Sequence, residues 1–264
     1  MSMPPGGAGA RPEILARRDG ARLAYRRTPG GGVGVVFLPG LRSDMEGTKA
    51  LALEGHCARA GRPFLRFDYF GHGASSGDFR EGTIGRFLDD TLALLDARTE
   101  GRQVLVGSSM GGWLMLLAAL ARPERVAGLV GVAPAPDFTE DVLAGLDAAA
   151  RRALDRDGVY LEPSPYSDEP TPITRALLEE ARAHLLLARP IPFRGPVRIL
   201  QGLADPDVPW QKALRLAEAL ASDDVAITLV KGGDHRLSTP ADLARLASVT
   251  ETLCRALELA TGGR

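Results

Sequence analysis

Short apolar runs alternate with amphipathic segments along most of the chain. Six runs predict strands, at residues 33–38, 64–67, 103–107, 126–133, 197–201 and 225–230. Apolar residues at helical spacing predict the intervening helices, at 47–60, 83–98, 110–121, 210–221 and from about 241. Apolar strands that alternate with helices are typical of a parallel sheet covered on both faces. The pattern therefore predicts an α/β fold with a mostly parallel sheet.

The two ends of the chain carry clear local signals. Segments 13–17 and 21–27 predict a hairpin, because the Asp-Gly pair at 19–20 between them favours a tight turn. The last helix is expected to begin after Thr239, a good N-cap residue. Residues 1–12 are rich in Gly and Pro and predict a disordered tail, not a signal peptide or a membrane anchor.

The alternation stops between residues 134 and 195. This stretch has several prolines, two amphipathic helical segments at about 140–156 and 174–188, and no convincing strand. An insertion of this length favours a lid over a bare loop. The apolar residues at 176–178 and 185–187 are expected to pack against the sheet domain and cover the active site. We therefore expect one domain over 13–264, with 134–195 as a small helical lid.

Composition and charge exclude several classes of function. Of the 264 residues 45% are apolar and 25% charged, and the net charge is −1, which does not favour nucleic acid or an anionic membrane as a partner. No apolar window is long enough to span a bilayer. Cys57 and Cys254 are far apart in sequence and are expected to be reduced. No histidine spacing suggests a metal site, and no cofactor is expected. These features predict a cytoplasmic protein without stable membrane insertion.

The candidate nucleophile is Ser109, in the Gly-x-Ser-x-Gly sequence at 107–111. Its position between an apolar strand and an apolar helix is the context in which this motif exposes a serine on a tight turn. A second match at 73–77 centres on Ser75. No helix is predicted after Ser75, so a role in a turn is expected there.

The candidate base is His235. In hydrolases of this type the chain order is serine, acid, histidine, and His235 follows a late predicted strand. The other histidines fit less well: His56 lies within a predicted helix, His72 in a glycine-rich loop and His184 in the expected lid.

The acid must lie between the serine and the histidine, near the end of a strand. Asp205 and Asp207 both follow the strand at 197–201. Asp205 is favoured because it comes first, within the tight turn, but Asp207 remains an alternative. Asp234 is a poor orienting group because adjacent residues project in different directions.

An oxyanion needs two backbone donors. The N–H of Met110, directly after the serine, is one candidate. The N–H of Leu41, in the loop after the strand at 33–38, is the other, and Gly40 allows a close approach of that backbone. The segment 68–73 is interpreted as a structural turn.

At these residues the chain resembles the α/β-hydrolases, and among them the mitochondrial palmitoyl-protein thioesterases that also act as acyl-glucuronide esterases, with their bacterial relatives. The resemblance is carried by FLPG at 37–40, GTKALA at 47–52, RFDYFGHGASSGD at 66–78, LVGSSMGGWLM at 105–115, ARPERV at 121–126, DPDVPW at 205–210 and DHR at 234–236. It implies Ser109, Asp205 and His235 as a catalytic triad, and acyl thioesters or esters as substrates. Gln201 departs from the superfamily, which often has His before this Gly.

The sequence thus favours a serine-dependent acyl hydrolase that works through an acyl-enzyme. Its expected partner is a small acyl ester or thioester, or an acylated protein. A carbon–carbon bond hydrolase or an acyltransferase with the same triad is the alternative within enzymes. A ligand receptor on a hydrolase fold is the non-catalytic alternative, which an intact triad disfavours.

Overall fold

The computed structural model describes residues 11–163 and 168–262. The strands are β1 (Glu13–Ala16), β2 (Arg22–Thr28), β3 (Gly34–Leu38), β4 (Phe64–Phe67), β5 (Gln103–Ser108), β6 (Val126–Val132), β7 (Val159–Glu162), β8 (Thr171–Thr174), β9 (Val197–Gly202) and β10 (Val225–Val230). The helices are α1 (Thr48–Ala60), α2 (Ile84–Arg98), α3 (Met110–Ala121), α4 (Phe138–Gly145), α5 (Ala148–Asp157), α6 (Arg175–Ala181), α7 (Gln211–Ala219) and α8 (Pro240–Gly262). Residues 1–10 of the tail predicted at 1–12 lie outside the described residues.

Eight strands form one sheet in the order β1-β2-β4-β3-β5-β6-β9-β10. The six strands β4, β3, β5, β6, β9 and β10 pair in parallel with their neighbours in this order. Strand β2 pairs antiparallel with both β1 and β4. The predicted α/β-hydrolase fold is confirmed. In the register of β3 and β5, Leu38 lies opposite Gly107. The loop after β3 and the turn after β5 therefore emerge side by side at the carboxyl edge of the sheet.

Both faces of the sheet are buried, as continuous apolar strands require. Val36 and Leu38 of β3 belong to one hydrophobic cluster, with Trp113 of α3. Val35 and Phe37 belong to a second cluster on the opposite face. The period of two along β3 thus divides its side chains between two cores. These layers fix the sheet from which the loops after β3 and β5 emerge.

The two cysteines lie in the second cluster. Cys57 and Cys254 are buried and free. Burial raises the pKa of each thiol to about 12, so neither is a thiolate at neutral pH.

The segment 134–195 lies between the neighbouring strands β6 and β9 and differs from its predicted structure. It contains an antiparallel pair, β7 with β8, where no strand was expected. Two strands of four residues carry too little alternation to be recognised in a sequence. The helix expected at 140–156 is divided into α4 and α5, because the carboxylate of Asp147 caps α5 by accepting the N–H of Ala150 at 2.7 Å.

The predicted helix at 174–188 ends earlier, at Ala181. Leu186 and Leu187 beyond it are buried in the first cluster. Both of their N–H groups donate to the carboxylate of Asp137, each at 2.8 Å. These two leucines therefore bury the apolar surface of the segment against the core of the sheet domain. Among the described residues, none of the helices combines the length and apolar character that crossing a bilayer requires.

Candidate active site

Ser109 occupies the sharp turn between β5 and α3. Its backbone has φ 54° and ψ −119°, a conformation that costs free energy for a residue with a side chain. The turn is held because Ser109 N–H donates to the carbonyl of Val132 at 3.0 Å, and the Ser109 carbonyl accepts from Gly112 at 2.8 Å. A Cβ on Gly107 would overlap the Gly111 carbonyl. The flanking glycines are therefore a steric requirement of this turn.

Three side chains from distant segments form one hydrogen-bonded chain. His235 Nε2 lies 3.1 Å from Ser109 Oγ. His235 Nδ1 lies 2.9 Å from Asp205 Oδ2. An ionised carboxylate accepts only, so it favours the tautomer with the proton on Nδ1. The Nε2 lone pair then faces the serine hydroxyl, the arrangement that a general base requires.

The carboxylate of Asp205 is fully buried and accepts four hydrogen bonds. The N–H groups of Asp207 and Val208 donate to Oδ1 at 2.9 and 2.8 Å, and Gln201 Nε2 donates to Oδ2 at 3.0 Å. Burial opposes ionisation, but the bond from His235 and those from the two amides outweigh it and lower the pKa of Asp205. Asp205 is therefore an anion at neutral pH.

The structure distinguishes between the two acids that the sequence left open. Asp205 contacts the imidazole, whereas Asp207 is exposed and its amide supports Asp205. Single ligand atoms of Asp205, Asp207 and His235 lie within 4.8 Å of one another, a spacing that could hold a metal ion. Both nitrogens of His235 already face Asp205 and Ser109, so a cation there would have to break that chain. Asp234 instead accepts the N–H of Leu237 at 2.9 Å.

The second Gly-x-Ser-x-Gly match has a structural environment. Ser75 Oγ donates to the carbonyl of Asp68 at 2.7 Å and accepts the N–H of Ala24 at 2.8 Å. The hydroxyl proton and one lone pair of Ser75 therefore tie the turn together and join it to β2.

Two other histidines pair with acids: His56 Nε2 lies 3.5 Å from Glu251 and His184 Nε2 lies 2.7 Å from Glu180.

The two predicted oxyanion donors lie on segments beside Ser109. A Cβ on Gly40 would lie 3.4 Å from Ser109 Cβ, so the loop that carries Leu41 passes against the nucleophile. Met110 is the first residue of α3, and its N–H has no acceptor one turn earlier in the helix. The positive end of the helix dipole lies at the same place. This geometry suits the oxyanion of a tetrahedral intermediate whose carbon is bonded to Ser109 Oγ.

Sequence reasoning missed two supporting contacts. Gln201 Nε2 bridges Asp205 Oδ2 and the carbonyl of Val208, each at 3.0 Å. Lys49 Nζ donates to the carbonyl of Arg236, next to His235, at 2.6 Å. Burial lowers the pKa of Lys49 to about 8. The position of Gln201 four residues before Asp205 was a local signal for the first contact. The second contact joins residues 187 positions apart and had no such signal.

Comparisons with known proteins agree with this fold. A profile described as "Alpha/beta hydrolase family" matches residues 35–246. Human "Palmitoyl-protein thioesterase ABHD10, mitochondrial" is 41% identical over 91% of this chain and 79% of its own length. The solved structure of mouse alpha/beta hydrolase domain-containing protein 10 is 42% identical, covers 94% of this chain and 100% of its own, and has a TM-score of 0.87. The crystal structure of a putative hydrolase from Agrobacterium vitis S4 is 44% identical, covers 91% of this chain and 96% of its own, and also has a TM-score of 0.87.

The expected cytoplasmic location is wrong on this evidence. The human, bovine and mouse relatives are all designated mitochondrial. Composition could not decide the matter, because cellular addresses are carried by targeting segments and not by the packing of a folded domain.

The fold, the serine turn and the sequence similarity all indicate the same family. The chain has the strand order and the serine turn described above, and its bovine and mouse relatives are 42% identical to it over 91% and 94% of its length. The chain therefore belongs to the α/β-hydrolase family and, within it, groups with the ABHD10 proteins.

Proposed function

We propose that this hydrolase cleaves acyl thioesters or esters with Ser109 as nucleophile, His235 as general base and Asp205 as the group that orients it. The observation that carries the proposal is the hydrogen-bonded chain from Ser109 Oγ through His235 to Asp205, at 3.1 and 2.9 Å. A serine hydroxyl is a weak nucleophile until a base accepts its proton. The chain supplies that base in the correct tautomer.

In the first half of the reaction, Ser109 Oγ attacks the acyl carbonyl carbon while its proton passes to His235 Nε2. The carbonyl electron pair moves to oxygen, where the N–H groups of Leu41 and Met110 stabilise the charge. When the tetrahedral intermediate collapses, the bond from carbon to the thiolate or alkoxide breaks. The leaving group takes the proton from His235, and an acyl-Ser109 ester remains.

In the second half, water attacks the acyl-Ser109 carbonyl and gives a proton to His235 Nε2. Collapse of the second intermediate breaks the bond to Ser109 Oγ, which recovers its proton from His235. The free carboxylic acid leaves, and the enzyme returns to its starting state. Asp205 remains ionised throughout and stabilises the imidazolium in both halves.

A lid and an acyl surface form part of the proposal. Residues 13–264 would form one domain, with 134–195 as the lid. Within the lid, Leu154, Ile173 and Leu178 form a small buried cluster. Leu41 packs against this cluster, as do the partly buried residues Val142, Leu143, Leu146 and Tyr160.

This placement supports an acyl substrate. Leu41 carries an oxyanion donor, so an acyl chain attached to the reacting carbonyl starts beside its side chain. The partly exposed apolar residues of the lid then offer the next contact surface. Relatives of this chain are named palmitoyl-protein thioesterases, which supports thioesters of long acyl chains, on small molecules or on proteins.

The test is labelling with a fluorophosphonate probe, followed by hydrolysis of acyl-thioesters and p-nitrophenyl esters from C2 to C16. Wild-type protein should be labelled on Ser109 and should hydrolyse both series. Ser109→Ala should lose labelling and at least about 10³-fold of kcat. Ser75→Ala is the matched control and should retain most activity. A wild-type protein that the probe does not label would instead favour a ligand receptor, and one that is labelled but hydrolyses neither series would favour the carbon–carbon hydrolase.

A further inference from the structure

The turn at residues 68–73 holds the loop at residues 39–45 through three side chains. Tyr69 Oη donates to the carbonyl of Pro39 at 3.3 Å. His72 Nε2 accepts the N–H of Arg42 at 3.3 Å. Asp68 Oδ1 accepts the N–H of Met45 at 2.6 Å. These contacts are spaced along the whole loop that carries the Leu41 amide, so the turn determines the path of that loop.

The His72 ring is fixed in position and in tautomer. It is 4% exposed and lies edge-on to Tyr69, Phe79 and Phe87, with ring centroids 5.6, 5.0 and 5.1 Å away. Its Nδ1 lies 3.0 Å from the carbonyl of Phe70, which can only accept, so the proton is on Nδ1. Nε2 therefore presents a lone pair, and the Arg42 N–H fills it.

The charges around His72 favour this neutral form. Burial lowers the pKa of His72, and the Arg42 guanidinium acts in the same direction. The hydrogen bond to the Phe70 carbonyl and the charge of Asp44 raise the pKa, but burial outweighs them. A protonated ring would present an N–H to the Arg42 N–H, and the bond would be lost.

Arg42 needs such an anchor. Its φ is 58°, in the left-handed region that costs a non-glycine residue about 1 kcal/mol or more. The Arg42 N–H lies in the 41–42 peptide unit, and the Leu41 N–H lies in the preceding 40–41 unit. The two rigid units meet at the Leu41 Cα, so rotation of the first toward an ordinary conformation would also turn the second and change the aim of the Leu41 N–H.

We propose that His72 is a positioning residue that orients the Leu41 N–H toward the oxyanion by accepting the Arg42 N–H. This inference rests on the proposed serine mechanism. His72 contacts no reacting atom, and its effect passes through the 41–42 peptide. The Asp-Tyr-Phe-Gly-His-Gly sequence at 68–73, interpreted from sequence as a structural turn, then serves the reaction through this contact.

The test compares two amide replacements of His72. The amide of Asn reaches only as far as Nδ1, so His72→Asn can still donate to Phe70 but cannot reach Arg42. The amide of Gln reaches as far as Nε2, so His72→Gln can present its oxygen to Arg42. Ser75→Ala is the matched control, because it removes two hydrogen bonds, one of them to Asp68 in this turn, without touching the 39–45 loop.

The readouts are kcat and KM for a short p-nitrophenyl ester, and the Ki of a trifluoromethyl ketone, whose adduct with Ser109 places an oxyanion between the two amides. His72→Asn should lower kcat at least about tenfold and weaken the ketone by a similar factor, with KM within about twofold. This is less than the loss from deleting a donor outright, because the Leu41 N–H is displaced and not removed. His72→Gln should recover most of both losses, and Ser75→Ala should resemble wild type in both.

Several outcomes would overturn the inference. His72→Asn could leave kcat and Ki unchanged, or Ser75→Ala could lower both as much as His72→Asn does, which would show a general effect of a weakened turn. Failure of His72→Gln to recover activity despite a wild-type melting temperature would also count against it. An active Ser109→Ala enzyme would refute the proposed mechanism itself, and this result is separate from all three.

Discussion

Replacing Asp205 with Asn would change which nitrogen of His235 carries the proton. The new amide group must point its NH₂ either toward the N–H groups of Asp207 and Val208, or toward His235 and Gln201. Backbone amides cannot become acceptors, whereas an imidazole can move its proton. The NH₂ therefore faces His235, and Nδ1 becomes the acceptor.

The consequence for the rate follows from this tautomer. With its proton on Nε2, His235 donates to Ser109 Oγ instead of accepting from it, and the base is lost. We expect kcat to fall by about 10³- to 10⁴-fold, the scale of a wrong-tautomer defect in a serine triad. Gln201 must also turn its oxygen toward the new NH₂ and thus lose its bond to the Val208 carbonyl. That change should cost only about 1 kcal/mol of unfolding free energy.

The assay is steady-state hydrolysis of a p-nitrophenyl ester, with urea unfolding to show that the variant is folded. Asp207→Asn is the matched control, because Asp207 lies two residues away and its side chain is exposed, and this variant should stay within about threefold of wild type. The reasoning is refuted if Asp205→Asn remains within tenfold of wild type while Ser109→Ala is inactive. A large loss in Asp207→Asn alone would assign the acid to Asp207.

Three further predictions concern stability and chain length. Asp137→Ala should lower the unfolding free energy, measured by urea unfolding, by about 2–5 kcal/mol, because two buried N–H groups lose their acceptor. Asp137→Asn should lower it by about half as much. An unfolding free energy of the alanine variant within about 1 kcal/mol of wild type would contradict this. Hydrogen bonds from Arg62 lower the pKa of Glu251 to about 2, below its unfolded value of about 4.3. The ionised Glu251 therefore stabilises the folded state above its unfolded pKa, and this contribution to the unfolding free energy is lost as the pH falls toward 2. Glu251→Gln should accordingly be less stable than wild type at pH 7, with the difference shrinking by pH 2.5; a constant difference in urea unfolding would be inconsistent with the linkage. In a C2 to C16 ester series, kcat/KM should rise up to about fourfold per buried methylene and then level off. Leu146→Asn should flatten that rise, while its kcat/KM for the C2 ester stays within about twofold of wild type. If the series is unchanged in this variant, Leu146 does not belong to the acyl surface.

Much of the site could be predicted because its signals are local. The Ser109 turn needs small residues two positions away on each side, so the five residues at 107–111 are enough to identify it. The hairpin across 19–20 and the cap of α8 are also local: Thr239 Oγ1 accepts the N–H of Asp242 at 3.2 Å, and the Asp242 carboxylate accepts the Thr239 N–H at 3.3 Å. Such features depend on neighbours within one turn of the chain.

The lid could not be predicted in the same way. The β7 and β8 strands are short, and their pairing depends on the intervening chain returning to meet Val159 with Thr174. The leucines at 186 and 187 have the same apolar character whether they cover a pocket or fill a core. Only the position of Asp137, some fifty residues earlier, shows that they are held in the core.

By itself, the sequence determined the parallel sheet, the serine turn and the order of serine, acid and histidine, because strand burial and turn sterics act over a few residues. Only the tertiary structure decided between Asp205 and Asp207, since both follow β9 and the choice depends on where His235 arrives from a different strand. It also decided that His72 and Lys49 support the active-site loops. Those contacts join residues 30 and 187 positions apart, and no local pattern encodes such a distance.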